Sequence, residues 1–282
     1  MCASSILSVL GLAILPALAL AAVDSGEWTL HSSSLPGKVE FSLQSSWSDG
    51  NHFSTSSDWD TTDLRGLDWS SPGKHDVHFT IARDAGTVEC EGFVKDGAGA
   101  GLFTFHPNPQ YAREMDALGF SGVSEERQFS FAIHDVSLAF ARDIKAAGVS
   151  GLDADKLIAF RIHGVTPEFI RDLRAAGLTV SEAGKLIAFR IHGVSPAFVR
   201  SLREAGLDVA DNDKLIAFRI HGVSPEYVNE LARLGFPHPA ADELIALRIH
   251  GVTPEYIEKL QARGVQNLSL QQLVALRIHG ID

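Results

Sequence analysis

Six histidines stand at one fixed interval: His134, His163, His192, His221, His250 and His279, each 29 residues after the last. Five of them sit in an Arg-Ile-His-Gly run, so Arg161/His163, Arg190/His192, Arg219/His221, Arg248/His250 and Arg277/His279 form a ladder. Such residues could ligate a metal or hold an anion. Zinc binds imidazole nitrogen at about 2 Å, and equivalent positions on neighbouring packed helices lie about 10 Å apart, so the ladder does not converge on one ion. The competing reading is structural. Both residues fall in the last turn of an expected helix, where a cation meets the negative end of the dipole and donors meet unpaired carbonyls. Glu168, Glu226 and Glu255, on the next helix, are expected partners for the arginines.

The remaining chemistry-bearing residues are weaker. His75 and His78 are three apart on an expected strand and so point to opposite faces. Asp58, Asp60 and Asp63, with Asp49 and Asp68 nearby, offer oxygens to calcium but lack the glycine and final glutamate of an EF-hand, and read as a solvated acidic loop. Gly97, Gly99 and Gly101 precede a strand, whereas a phosphate cradle follows one and opens a helix; a bulged or flexible hairpin is expected. Trp28, Trp47, Trp59 and Trp69 gather near the acidic loop, as core and rim aromatics or as a glycan or peptide platform. Cys90 reads as a small core residue. No Gly-x-Ser-x-Gly elbow and no nucleophile–base set is visible. No catalytic, cofactor-binding or metal-ligating residues are therefore assigned, and a non-enzymatic protein is expected.

Two regions must position these residues. The chain has 282 residues and a net charge of −11, which disfavours a general nucleic-acid partner. In residues 24–104, Val39-Phe41-Leu43 and Val77-Phe79-Ile81 alternate with polar residues, the period of half-buried strands. Asp84-Ala85-Gly86 and Lys95-Asp96-Gly97 mark tight turns, so an antiparallel meander is expected over about 76–105, with a loop or short edge strands over 44–75.

Residues 105–282 follow the 29-residue period, with repeats counted from 105, 134, 163, 192, 221 and 250 and a partial one at 279–282. Such a period is the mark of stacked repeats. Thr166 caps a helix whose first position is Pro167, and Val165 with Ile170 forms a hydrophobic staple. Gly177 ends that helix. A short link follows, with Ser181, Asp211 or Ser269 as the cap of the second, Leu-Ile-Ala-Phe-Arg-Ile-His helix. Helices of about ten residues are marginal alone. Phe169, Ile170 and Leu173 on one helix, and Leu186, Ile187, Phe189 and Ile191 on the other, are expected to find their neighbours by stacking. The fold class is thus α+β: a small antiparallel β-domain, then an α-solenoid of six helical hairpins. The last hairpin shows no polar cap, so its face invites a partner or self-association.

Residues 1–22 read as a signal peptide: Ile6 to Val23 is apolar and Ala19-Leu20-Ala21 supplies small residues for cleavage, although no Lys or Arg precedes the run. A retained N-terminal anchor is the other reading, and the only membrane contact expected. Cleavage would remove Cys2 and leave Cys90 without a disulfide partner. A periplasmic or secreted protein is expected.

The run Leu-Ile-Ala-Phe-Arg-Ile-His-Gly-Val-Thr-Pro-Glu-Phe resembles helical repeats of exported bacterial proteins. Some of these are accessory extracytoplasmic regions of BlaR/MecR-type antirepressor sensor-proteases. Residues 77–109, with Arg83-Asp84-Ala85-Gly86-Thr87 and Phe103-Thr104-Phe105, resemble the β-region that accompanies them. The chain has no His-Glu-x-x-His motif, so the resemblance implies an accessory region and not proteolysis. The expected function is an exported scaffold or adaptor binding a protein or peptide. Its expected partner surface is the set of positions that change between near-identical repeats: Arg171, Arg200, Asn229 and Glu258, with Asp172, Ser201, Glu230 and Lys259. The alternative is an envelope sensor with its ligand on the β-domain and the repeats docking or relaying.

Overall fold

The computed structural model describes residues 24–46, 52–208 and 210–281. The signal-peptide reading of residues 1–22, Cys2, Trp47 and Asp49 lies outside the described residues. Among the described residues, no helix is long and apolar enough to cross a membrane.

Among the described residues six strands come first: β1 (Asp24–Ser32), β2 (Lys38–Ser46), β3 (His52–Asp60), β4 (His75–Arg83), β5 (Gly86–Lys95) and β6 (Ala98–Pro107). They form one sheet in the order β3-β2-β1-β6-β5-β4. The expected meander is present as β4, β5 and β6. Of the two alternatives over 44–75, residues 52–60 take the edge strand, at nine residues a longer one than expected. Ser54, Ser56, Ser57 and Asp58 read as loop chemistry, yet an edge strand with little burial does not need an apolar alternation. Pairing with β2 supplies the order, with Phe41 opposite Ser57, Val39 opposite Trp59, and a Ser42–Ser56 hydroxyl bond of 2.9 Å. The glycine run is likewise not a flexible hairpin. The reversal is made by Asp96 and Gly97, both at positive φ, and Gly99 and Gly101 lie within β6.

The sheet curls around its own aromatic side chains. Phe41 on β2 and Phe79 on β4 have ring centroids 6.0 Å apart, although three strands separate them in the sheet order. A flat sheet would hold them about 19 Å apart at the usual strand spacing. Trp28 lies between, edge-on to Phe79 at 5.1 Å. The backbones come close where Gly92 and Gly101 face each other. A Cβ on Gly101 would stand 2.0 Å from the Glu91 carbonyl oxygen and 2.7 Å from the Gly92 Cα. That bare backbone lets the Trp28 indole N–H donate to the Glu91 and Leu102 carbonyls, at 3.2 and 3.1 Å.

Twelve helices follow as six hairpins: α1 (Pro109–Ala117) with α2 (Glu125–Ile133), α3 (Leu138–Ala146) with α4 (Ala154–His163), α5 (Pro167–Ala175) with α6 (Ala183–His192), α7 (Pro196–Glu204) with α8 (Asn212–His221), α9 (Pro225–Arg233) with α10 (Ala241–Ile249), and α11 (Pro254–Ala262) with α12 (Leu270–Ile278). β6 runs to Pro107, past Phe105 where the first repeat was counted, so that repeat contributes helix only from Pro109. The chain forms two compact units. One holds most of the sheet, and the other holds the helices together with residues 62–65 and 80–88.

The inner hairpins follow from their sequence. Thr166, Ser195, Ser224 and Thr253 accept the N–H of Phe169, Phe198, Tyr227 and Tyr256 at 3.1–3.2 Å, with proline at the next position in each case. Val165 and Ile170 are both buried. Gly177 closes α5 at a φ of 83°, a left-handed conformation that disfavours any side chain. Asp211 and Ser269 cap their helices as expected. Ser181 does not. Its carbonyl takes the Ser150 N–H in a short parallel bridge, and the cap position passes to Glu182, which makes no side-chain bond.

Candidate functional site

The Arg-Ile-His ladder is the most regular constellation in the molecule, and each of its three residues has a separate role. Arg161, Arg190, Arg219 and Arg248 donate from Nε to the backbone carbonyls of His134, His163, His192 and His221 at 3.0–3.2 Å. Each arginine thus satisfies the open carbonyl end of the helix one repeat earlier, where a cation also meets the negative pole of the dipole. The guanidinium plane lies over an aromatic ring of the adjoining first helix: Phe140, Phe169, Phe198, Tyr227 and Tyr256, at 4.7–5.2 Å from the ring centroid. The arginine is therefore a joint between hairpins, held by a hydrogen bond and a cation–π contact.

The expected pairing with Glu168, Glu226 and Glu255 does not occur. Those carboxylates turn back onto their own helix starts. Glu168 and Glu255 accept first from their own backbone N–H and then from the Thr166 and Thr253 hydroxyls, and Glu226 accepts first from the Ser224 hydroxyl. These bonds hold all three below the ordinary glutamate pKa.

A second ladder joins the first helices. Lys145, Arg174, Arg203 and Gln261 donate to the carbonyls of Leu118, Ala147, Gly177 and Leu234. A third crosses the starts of the second helices, as Arg127–Asp155, Lys185–Asp213 and Lys214–Asp242. The hydrogen bond that Lys185 donates to Asp213 is the main cause holding its amine above the ordinary pKa.

The first helical joint is built differently. Asp135 stands where the later repeats have glycine, at a φ of 52°, and its carboxylate takes Arg161 at 2.5 Å and Arg83 at 3.4 Å. Arg83 also meets Asp63 at 3.2 Å. Leu138 occupies the position that proline holds in the four hairpins after it, and its N–H donates to the Asp84 carboxylate at 2.9 Å. Proline could not make that bond. His134 is held below the ordinary histidine pKa, chiefly by burial and then by Arg161.

The other sequence candidates disperse. Asp60 pairs with Lys38 at 3.0 Å, Asp63 with Arg83, and Asp68 with the Ser70 and Ser71 N–H groups. They do not converge, and among the described residues no group of three or more His, Cys, Asp or Glu could hold a metal. His75 faces the Gly73 and Asp68 carbonyls with its two ring nitrogens. Trp28 and Trp59 are buried in the curled sheet and Trp69 is half-buried. Cys90 is fully buried, and burial pushes its thiol far above the ordinary value.

Arg171, Arg200, Asn229, Glu258, Asp172, Glu230 and Lys259 are exposed, and Ser201 is half-buried with its hydroxyl on the Phe198 carbonyl. None of them takes part in the three inter-repeat ladders. Arg171 lies 3.5 Å from Asp172, and Glu258 lies 3.4 Å from Arg233.

One feature was not legible as a site. The expected core residue Ile191 is instead on the surface, as is its counterpart in every hairpin from the second onward. Ile162, Ile191 and Ile220 are each 56 % exposed, Ile249 54 % and Ile278 58 %. The helix is apolar almost all round, so periodicity could not tell its buried side from its bare one. The signal available was the sequence interval between each arginine and its ring, 21 residues throughout, as in Arg190 and Phe169. It turns one face inward and leaves the isoleucine outward.

No protein-family model matches the chain, and no curated protein matches it.

Proposed function

We propose that the chain is an exported, non-enzymatic scaffold or adaptor that binds a protein or peptide partner along its helical repeats. The observation that carries this reading is a division of labour. The arginine joint repeats almost unchanged from hairpin to hairpin, while the exposed series Arg171, Arg200, Asn229 and Glu258 runs from basic through neutral to acidic outside all three ladders. A frame held constant under a surface that varies is how repeat proteins present an extended binding face. Export rests on the apolar run before residue 24 and on the likeness to accessory regions of bacterial envelope proteins. Photo-reactive residues at 171, 229 and 258, crosslinked in cells and read by mass spectrometry, test the proposal. One heterologous partner caught from several sites supports it; crosslinks only between copies of the chain count against it.

A second reading places a small ligand on the sheet. An open cleft of about 530 Å³ is lined by Glu27, Glu91, Phe93 and Leu102, with Leu102 65 % exposed. A glycan or small molecule that raises the melting temperature read by tryptophan fluorescence would favour it, because all four tryptophans lie between residues 28 and 69.

A further inference from the structure

The second helices present a regular apolar face. Ile158 and Ala159, Ile187 and Ala188, Ile216 and Ala217, and Ile245 and Ala246 are half-buried, and the exposed isoleucine follows four residues after the first of each pair. Residues four apart share one side of a helix, so each hairpin contributes the same short apolar strip. Single exposed isoleucines need no explanation; five at one interval make a continuous feature that does.

A charged rim runs beside it. Arg190, Arg219 and Arg248 spend Nε on a carbonyl and a face on a ring, yet among the described residues none of the three has a carboxylate partner. Their terminal nitrogens lie against the glycine of the hairpin before. A Cβ on Gly164 would be 2.7 Å from the Arg190 Nη2, and one on Gly193 or Gly222 would be 2.9 Å from the Nη2 of Arg219 or Arg248. That glycine ends the helix that carries the exposed isoleucine, so each guanidinium lies at the same helix end as an isoleucine. The stacked planes are fixed before any partner arrives, the condition under which arginine binds carboxylates most effectively.

Building on the scaffold reading, we infer that this strip is a second recognition surface, and that its occupant is an acidic peptide segment in polyproline II conformation carrying branched apolar residues. The apolar residues seat on Ile162, Ile191, Ile220 and Ile249, and the carboxylates meet Arg190, Arg219 and Arg248. The spacing agrees: a polyproline II chain returns to the same side every third residue after about 9 Å, close to the distance between packed helices. A partner side chain every third residue would therefore meet one hairpin after another.

Selection of random linear peptides on the full protein tests this, with every enriched peptide then measured against Ile191→Asp/Ile220→Asp. Both isoleucines are exposed, so the helical circular dichroism of the double variant should match the parent. The expected result is net-acidic peptides with Ile, Val or Leu recurring at every third position. Their binding should weaken with added salt and fall about tenfold or more on the variant. Enriched peptides that are basic, that bind the variant equally well, or that fail to appear would overturn the inference. Flotation of the protein, but not of the variant, with phosphatidylglycerol vesicles would also overturn it in favour of a lipid surface. Crosslinks from residues 171, 229 and 258 decide the scaffold reading separately, so either proposal can fail alone.

Discussion

The sheet and the helical hairpins solve one problem in opposite ways. Neither a nine-residue strand nor a ten-residue helix is stable alone. The sheet answers with a single aromatic cluster, Trp28, Phe41, Trp59 and Phe79, into which distant strands curl. Its contacts are each used once. The hairpins answer with one joint used again and again: an arginine on a ring and a carbonyl, 27 residues after its acceptor. One unit concentrates its stability and the other distributes it. Damage at one point should therefore cost the sheet more than the helices.

Phe41→Ala should show the largest effect. It removes a ring that touches Trp28, Trp59 and Phe79, and should cost about 3–5 kcal/mol in urea unfolding followed by tryptophan fluorescence. Arg219→Ala breaks one joint among several, and should cost about 1–2 kcal/mol in unfolding followed by circular dichroism at the helical band. An arginine loss as costly as the phenylalanine loss would break the comparison. Leu138→Pro sharpens it at the first joint. Proline suits this position in the five other hairpins, but here it removes the N–H held by Asp84, so a loss of about 1 kcal/mol is expected. Stabilisation instead would mean that the Asp84 bond contributes little beside the stiffening proline brings.

Two smaller effects concern the sheet unit alone. His75 has a carbonyl at each ring nitrogen, chiefly Asp68 and then Gly73, and these raise its pKa above the ordinary 6.5. Its stabilisation of the loop from Asp68 is thus fully present below about pH 6.5 and lost as pH rises through the folded-state value. An NMR titration of the His75 ring, with hydrogen exchange over residues 68–75, reads this; a ring that titrates at or below 6.5 contradicts it. In a Cys2→Ser background, Cys90 should stay unreactive to a thiol reagent until denaturant is added, because it is fully buried with its thiol held protonated.

The helical unit was the more legible of the two because its signals are local and repeated. A cap before a proline, a glycine after the last apolar residue and a valine at the staple say the same thing in hairpin after hairpin. The sheet was legible only where burial imposes alternation, as in Val77-Phe79-Ile81. β3 is a strand by virtue of its neighbour, and Ser, Thr and Asp carry no sign of that. The Arg–Ile–His ladder was visible in full, but its partners were not. Each arginine satisfies a carbonyl belonging to another hairpin, and backbone acceptors leave no trace in a sequence. Glu168, Glu226 and Glu255 appeared as partners because charge is visible in the letters. Ser181 appeared as a cap for a similar reason, while the Ser150 bridge that redirected its backbone was not in view.

The arginine joint also bears on how such a chain can change length. Each inner hairpin offers a histidine carbonyl at one end and an arginine at the other, so any inner unit fits between any two others. Excising residues 192–220 would place His221 directly after Ile191, and Arg248 would still find a histidine carbonyl one hairpin back. Duplication or loss of 29 codons in frame then leaves every inner joint with its acceptor, and the number of hairpins becomes something that unequal crossing-over of the coding DNA can tune.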